Sequence, residues 1–136
     1  MNVTRFAAAP PYPAPPDHHG MTCLWLQGHD AGPSQALWMG VSQVGPGGSI
    51  ERGASPLEKH YVVLSGEVTI VTGDGEAALG PWDSVCLASG EARALETAPT
   101  RRLRCCLRCR CRRPEILDAA PPIRQREQKS GGIRCP

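Results

Sequence analysis

The sequence predicts an all-β fold of roughly eight to ten short strands, and three observations support this prediction. Short runs rich in Val, Ile, Leu, Thr and Tyr recur along residues 22–112, and these residue types favour a pleated, half-buried surface. Fifteen Gly and fourteen Pro residues are scattered through the 136-residue chain, which favours tight turns between strands. No segment shows the period of about 3.6 residues that marks an amphipathic helix.

The N-terminal part of the chain predicts an arm followed by two or three strands. Residues 1–20 include the Pro-rich stretch 7–17, where proline removes backbone donors and fixes an extended conformation. Residues 22–27 and 36–44 have the composition of strands. The run Gly45-Pro46-Gly47-Gly48 predicts a break, with a separate short strand at residues 49–52.

The centre of the chain predicts a strand, a turn and a second strand within residues 58–71. Side chains alternate between the two faces of a strand, so Lys59 and Tyr61 should share one face and His60 the other. A register shifted by one residue would turn His60 inward, where it could join His18 or His19 and Glu51 or Glu58 in an irregular metal site. Further strands are predicted at residues 76–79, 84–87 and 92–96.

Residues 102–112 alternate between arginine on one side and leucine or cysteine on the other, which predicts a half-buried strand. The cysteines of this segment lack a second knuckle at zinc spacing, so we expect buried reduced thiols rather than a thiolate metal site. Residues 115–136 show no strong periodicity. The predicted organisation is therefore an arm at 1–20, one β-domain at 21–113 and an irregular tail at 114–136.

Charge is divided unevenly along the chain. Residues 1–100 hold four basic and ten acidic side chains, a net charge of −6, whereas residues 101–136 hold eleven basic and three acidic ones, a net charge of +8. A basic tail is one signature of nucleic-acid binding, and a reading-frame change in a GC-rich gene would also produce one. No basic helix or interleaved aromatics accompany these arginines, so we do not expect a nucleic-acid partner.

Hydropathy indicates no membrane partner. No run of about eighteen apolar residues is present, and the first ten residues are too short and interrupted for a secretory signal. We expect a soluble cytoplasmic protein, and a homodimer.

Two stretches resemble the paired motifs of the cupin superfamily. In the first motif, Gly47 and Gly66 match the outer glycines; in the second, Gly90 matches, and the turn 80–83 looks like the usual approach to that motif. The resemblance covers roughly residues 36–112 and implies an antiparallel β-barrel, a double-stranded jelly roll. In metal-dependent cupins, three histidines and a glutamate hold a divalent ion inside this barrel.

The residues at those metal positions differ from the family pattern. The first-motif histidine positions fall on Gly53 and Ser55, and the glutamate position falls on Lys59. In the second motif the histidine position is Arg93, and the proline and asparagine positions are Ala88 and Thr97. Two cations in place of metal ligands would attract an anion, so the resemblance implies a barrel that holds a small anionic molecule, with no metal and no other cofactor.

These residues define the predicted site. Lys59, with His18 or His19, is predicted to be catalytic, and Arg93, Tyr61 and Trp38 are predicted to bind substrate. Arg93 suits bidentate contact with a carboxylate, Lys59 could act as a base or form a Schiff base, and a histidine could move a proton. Ordinary surface charges, or ion pairs with Glu58 or Glu91, are the alternative for the two cations.

Three functions stay open from the sequence. The first is a metal-independent isomerase, cyclase or lyase that acts on a small carboxylate-bearing or enolisable molecule, as some cupin epimerases and cyclases do. The second is a non-catalytic cupin that binds or senses a small ligand. The third is a metal-dependent cupin of the dioxygenase type with displaced ligands. A barrel fold cannot choose among them, because one fold hosts many chemistries.

Overall fold

The computed structural model describes residues 1–34, 36–99 and 103–111, with the backbone alone for 104–111. Nine strands are described: β1 (Pro11–Tyr12), β2 (His18–Gln27), β3 (Leu37–Gly53), β4 (Lys59–Ser65), β5 (Val68–Val71), β6 (Glu76–Leu79), β7 (Ser84–Leu87), β8 (Arg93–Glu96) and β9 (Leu103–Cys111). Two 3-10 turns, Phe6–Ala8 and His29–Ala31, are the helical elements of these described residues. The all-β prediction is confirmed. The tail predicted at 114–136 lies outside the described residues.

All pairings between the described strands are antiparallel, and they form one sheet in the order β6-β5-β8-β3-β9-β4-β7, with β2 also on β3 and β1 on β2. The first part of β3 pairs with β9, and its last part pairs with β8. Strand β3 therefore carries the chain from one half of the structure to the other. This arrangement is the predicted double-stranded jelly roll.

The long strand β3 corrects one prediction. Residues 36–44 and 49–52 were expected to be separate strands, but the structure has one strand that bends through Gly45–Gly48. The Thr97 hydroxyl donates to the carbonyl oxygens of Gly48 at 2.8 Å and Gly45 at 3.1 Å. A Cβ on Gly48 would collide with Val44 Cγ1. The bend is thus held by a side chain from the end of β8, which lies far away in sequence.

The core fills the space between the two halves of the sheet. Nine buried residues form its main cluster, and their alternation along β4, β5 and β8 follows the two-residue period of a strand. The cluster consists of Val44, Ile50, Tyr61, Val63, Val68, Ile70, Leu87, Leu95 and Leu103.

The N-terminal arm packs against β2 and against the 3-10 turn His29–Ala31. Asn2 Nδ2 and Thr4 Oγ1 each donate to the carbonyl oxygen of Ala31 at 3.0 Å. The Tyr12 ring stacks on Trp25 with ring centroids 3.9 Å apart. The arm is therefore tied to the barrel at two places. In the described part of the chain, no helix is long and apolar enough to cross a bilayer.

Candidate functional site

The interior of the barrel holds a buried arginine bound to a tyrosine. Arg93 is 3% exposed, at the start of β8. Its Nε and Nη2 donate to the Tyr61 hydroxyl oxygen at 3.1 and 3.0 Å, and its Nη1 donates to the Gly53 carbonyl oxygen at 2.8 Å. Among the described residues, these hydrogen bonds of the guanidinium reach neutral oxygens and no carboxylate. A buried cation of this kind attracts an anion.

The hydrogen bonds of Tyr61 determine what its hydroxyl can still do. The phenolic oxygen accepts two N–H groups from Arg93, so its own O–H hydrogen must point elsewhere. The Tyr61 side chain also lines a cavity inside the barrel. The pair therefore joins a residue of the cavity wall to a buried positive charge.

Lys59 is buried on the same face of β4 as Tyr61. It is 6% exposed and Tyr61 is 3% exposed, whereas His60 between them is exposed. The predicted alternation is confirmed, and the shifted register that would have turned His60 inward is wrong. Lys59 lies opposite Leu87 of β7 in the strand pairing. It does not lie among the residues that line the Tyr61 cavity.

The Tyr61 cavity lies between the arm and the strands β2, β3, β4 and β8. It has about 370 Å³ of empty space with its mouth included, but the centre of a water molecule fits into only about 20 Å³ of it. That room suits one or two waters, so a larger ligand requires side chains at the wall to move. The cavity is lined by Tyr12, Pro15, His18, Met21, Cys23, Ser42, Val44, Ile50, Tyr61 and Leu95.

The two adjacent histidines lie in different environments, as expected for neighbours on an extended chain. His18 lines the cavity, and its Nδ1 lies 3.0 Å from the carbonyl oxygen of Pro16. A carbonyl can only accept, so Nδ1 carries the proton, and Nε2 of the neutral ring is the basic nitrogen. His19 is exposed and its Nε2 lies 2.9 Å from Glu51 Oε1. Of the two, the structure brings His18 to the cavity.

Trp38 lies in an aromatic group beneath the arm. It is 7% exposed, and its ring meets Trp25 edge-on at 4.8 Å and His29 at 5.9 Å between centroids. It is absent from the wall of the Tyr61 cavity. Of the two aromatic residues predicted to bind substrate, Tyr61 therefore lines that cavity and Trp38 does not.

The interior positions do not fit a divalent metal ion. Gly53 has no side chain, and its carbonyl already accepts from Arg93. Ser55 accepts from the Leu57 amide at 3.2 Å, and Lys59 and Arg93 are cations in place of a carboxylate and an imidazole. Metal sites need neutral or anionic donors, so these four positions do not form the metal site of metal-dependent cupins.

Sequence reasoning missed a second cavity, which lies where the β5–β6 hairpin faces β7. It has about 560 Å³ of empty space with its opening, and the centre of a water molecule fits into about 260 Å³ of it. Three acidic residues line it, Asp74, Glu76 and Glu91. Glu91 Oε2 also accepts from the Ala88 amide at 2.8 Å. In the sequence these residues are only acidic side chains at or near turns, and acidic residues are common in solvent-exposed loops.

Comparison with solved structures identifies the fold. The polyketide cyclase RemF from Streptomyces resistomycificus matches with a TM-score of 0.72 and 21% identity, over 84% of this chain and 82% of that one. The DMSP lyase DddQ from Ruegeria pomeroyi DSS-3 matches with a TM-score of 0.67 and 25% identity, over 80% of this chain and 59% of that one. Other matching structures are described as cupins. The chain therefore has the fold of the cupins, an antiparallel β-barrel.

The relationship can be stated more closely from sequence. A Mycobacterium tuberculosis (strain ATCC 25618 / H37Rv) protein, beta-D-galactosidase Rv1717, is 40% identical over 102 residues, which cover 75% of this chain and 87% of that protein. The chain therefore belongs to the same protein family as that protein. No protein-family model matches the chain.

Proposed function

We propose that this cupin is an enzyme that binds a small anionic or enolisable molecule inside the barrel and acts as an isomerase, cyclase or lyase without a metal. The observation that carries the proposal is the Arg93–Tyr61 pair, in which a buried guanidinium donates twice to a phenol that lines a cavity. Fixed donors of this kind stabilise negative charge that develops on a bound oxygen.

The chemistry follows from the placement of three side chains. The carboxylate or carbonyl oxygen of the substrate accepts the Tyr61 O–H, and the positive charge of Arg93 lies behind that bond. His18 Nε2 takes a proton from the carbon next to the carbonyl. The C–H electron pair moves into the enolate, and its charge rests on the oxygen held by Tyr61.

The fate of the enolate decides the reaction class. Return of the proton to the opposite face of the same carbon, or to the far carbon of a conjugated enolate, gives an isomerase. Expulsion of a leaving group from the next carbon gives a lyase, and attack on a second carbonyl of the same molecule gives a cyclase. Lys59 supplies a further interior positive charge. DddQ, at 25% identity, is a DMSP lyase on this fold, which supports the lyase branch.

Binding is tested with small carboxylates such as acetate, pyruvate and malonate, measured by calorimetry. Arg93→Met should weaken binding about 10–100-fold, because it removes the buried positive charge that strengthens the Tyr61 hydrogen bond to the carboxylate, and a hydrogen bond that involves a charged group is worth about 1.5–3 kcal/mol. Arg52→Met is the matched control, since Arg52 is an exposed arginine of β3. Equal affinity of the two variants for every carboxylate would reject the interior site.

Catalysis is tested separately from binding. Exchange of substrate α-protons with deuterated solvent, followed by NMR, should occur with the wild type and fall at least about 100-fold in His18→Asn, since general base catalysis contributes about that much. His19→Asn is the control on the exposed neighbour. Binding without any exchange or conversion would favour the non-catalytic, ligand-sensing alternative.

Galactoside hydrolysis is a second candidate, and two observations favour it. The 40% identical relative is a beta-D-galactosidase, and the wider cavity carries Asp74, Glu76 and Glu91. Most glycosidases use a pair of carboxyl groups, one as acid and the other as base or nucleophile. The wider cavity has the room for a sugar that the Tyr61 cavity lacks.

One comparison separates the two candidates. Release of nitrophenol from nitrophenyl β-D-galactoside should be lost in Glu91→Gln or Glu76→Gln and kept in Arg93→Met if the wider cavity is the active site. The reverse pattern would assign the activity to the barrel interior. No release above a heat-treated control would remove the second candidate.

A further inference from the structure

A cluster of three potential metal ligands lies at the exposed surface of strands β4 and β7. Glu58 precedes β4, His60 lies on β4 and Cys86 lies on the neighbouring strand β7. One ligand atom from each residue can be chosen so that all three lie within 4.8 Å of one another. None of the three lines the Tyr61 cavity or the acidic cavity.

The strand pairing builds this cluster. His60 and Cys86 are direct partners in the β4–β7 register, and side chains directly opposite each other have Cβ atoms about 4.5–5.5 Å apart. Glu58 lies two residues before His60, and its Oε1 is 2.8 Å from His60 Nε2. Two ligands are therefore already in contact, and the third is held beside them by backbone hydrogen bonds.

The three donors suit one kind of ion. An imidazole nitrogen, a thiolate sulfur and a carboxylate oxygen are the ligand types of Zn²⁺, and three protein ligands leave its fourth position for water. Tetrahedral bonds of about 2.0–2.3 Å place ligand atoms about 3.5 Å apart. The cluster must close by about 1 Å, which rotation of exposed side chains allows.

The local charge also favours a cation. The hydrogen bond between Glu58 and His60 holds a carboxylate at the cluster. A carboxylate attracts a divalent ion, and a bound ion would deprotonate the Cys86 thiol. None of these three side chains lines the Tyr61 cavity inside the barrel.

We propose that Glu58, His60 and Cys86 bind Zn²⁺ on the outer face of β4 and β7, with water in the fourth position. Strand β7 is at one end of the described strand order, so the ion would clamp this strand to β4. The role is structural or regulatory, and it is independent of whether the barrel interior is catalytic.

The test is the stoichiometry and affinity of Zn²⁺ in the full chain under reducing conditions, measured by competition with a chromogenic chelator. Each of Glu58→Gln, His60→Ala and Cys86→Ser should weaken one Zn²⁺ site at least about tenfold, since even outer-shell partners of metal ligands contribute about 10–100-fold. All three residues are on the surface, so these variants should fold. Zn²⁺ should also raise the melting temperature of the wild type more than that of the variants.

The chain offers two matched controls. His19→Ala removes a histidine from a similar exposed pair, in which His19 Nε2 lies 2.9 Å from Glu51 Oε1. Among the described residues, this pair belongs to no cluster of three potential metal ligands. Cys23→Ser removes a buried thiol elsewhere. Substitution with Co²⁺ should give a thiolate charge-transfer band that Cys86→Ser abolishes and Cys23→Ser keeps. If all five variants bind Zn²⁺ with the number and affinity of the wild type, the proposal is wrong.

Discussion

Replacing Tyr61 with phenylalanine should destabilise the protein although it removes a single oxygen atom. That oxygen accepts two N–H groups from Arg93, at 3.1 and 3.0 Å, and the arginine is only 3% exposed. The variant leaves two N–H groups of a buried cation without their acceptor. A hydrogen bond to a charged group is worth about 1.5–3 kcal/mol, and two bonds to one shared oxygen give a loss of about 3 kcal/mol.

The same reasoning predicts coupling between the two residues. Arg93→Met alone leaves the Tyr61 hydroxyl buried without its partner, at a cost of about 1–3 kcal/mol. The double variant, Tyr61→Phe with Arg93→Met, replaces both partners by apolar groups and should recover part of the loss. We expect a coupling energy of about 2 kcal/mol, which is typical of residues in one hydrogen-bond network.

Urea unfolding of the four proteins measures these quantities, with thermal melting as a second readout. A loss of 3 kcal/mol should lower the melting temperature by about 12 °C, from about 4 °C per kcal/mol at this chain length. A Tyr61→Phe loss below about 1 kcal/mol, with coupling below about 0.5 kcal/mol, would refute the reasoning. It would mean that Arg93 is solvated by water rather than held by the phenol.

Three further predictions concern the bend, the arm and the outer thiol. Gly48→Ala should lower the free energy of unfolding by about 2–3 kcal/mol, because the new Cβ would meet packed atoms. Gly47→Ala should lower it by only about 1–2 kcal/mol, because Gly47 has φ 71° but open space around it. Equal losses of the two variants in urea unfolding would contradict this prediction. Tyr12→Ala should cost about 1–2 kcal/mol by loss of an aromatic stack and should speed proteolysis of the arm, followed by mass spectrometry. Because the pKa of Cys86 is raised by desolvation, then by Glu58 and Glu91, its alkylation near neutral pH with a chelator present should be slow and should rise with pH. Glu58→Gln should lower that pKa and speed labelling of the Cys86 peptide at fixed pH, and an unchanged rate would show that this carboxylate has no effect.

The features that the sequence predicted well depend on local pattern. The period of two in a strand placed Lys59 and Tyr61 inside and His60 outside, and burial agrees. The glycine spacing of the cupin motifs placed Arg93 at an interior position, where it is found. Both predictions need only neighbours in sequence or a family pattern, so a single chain was sufficient.

The features that were missed depend on pairing between distant residues. The bend in β3 was interpreted as a break because Gly-Pro-Gly-Gly favours turns, but the Thr97 hydroxyl, 49 residues from Gly48, holds the strand together. The bond between Arg93 and Tyr61 spans 32 residues. The acidic cavity arises where β7 comes to face the β5–β6 hairpin, which no local signal encodes.

The N-terminal arm affects which parts of the Tyr61 cavity can differ between related proteins. Three cavity residues, Tyr12, Pro15 and His18, come from the arm or from the first residue of β2, while the cluster of large buried side chains lies in later strands. Substitutions in this segment change the wall of the Tyr61 cavity and leave the main buried cluster in place. Related proteins can therefore differ in the shape of this cavity while the later strands of the barrel stay the same.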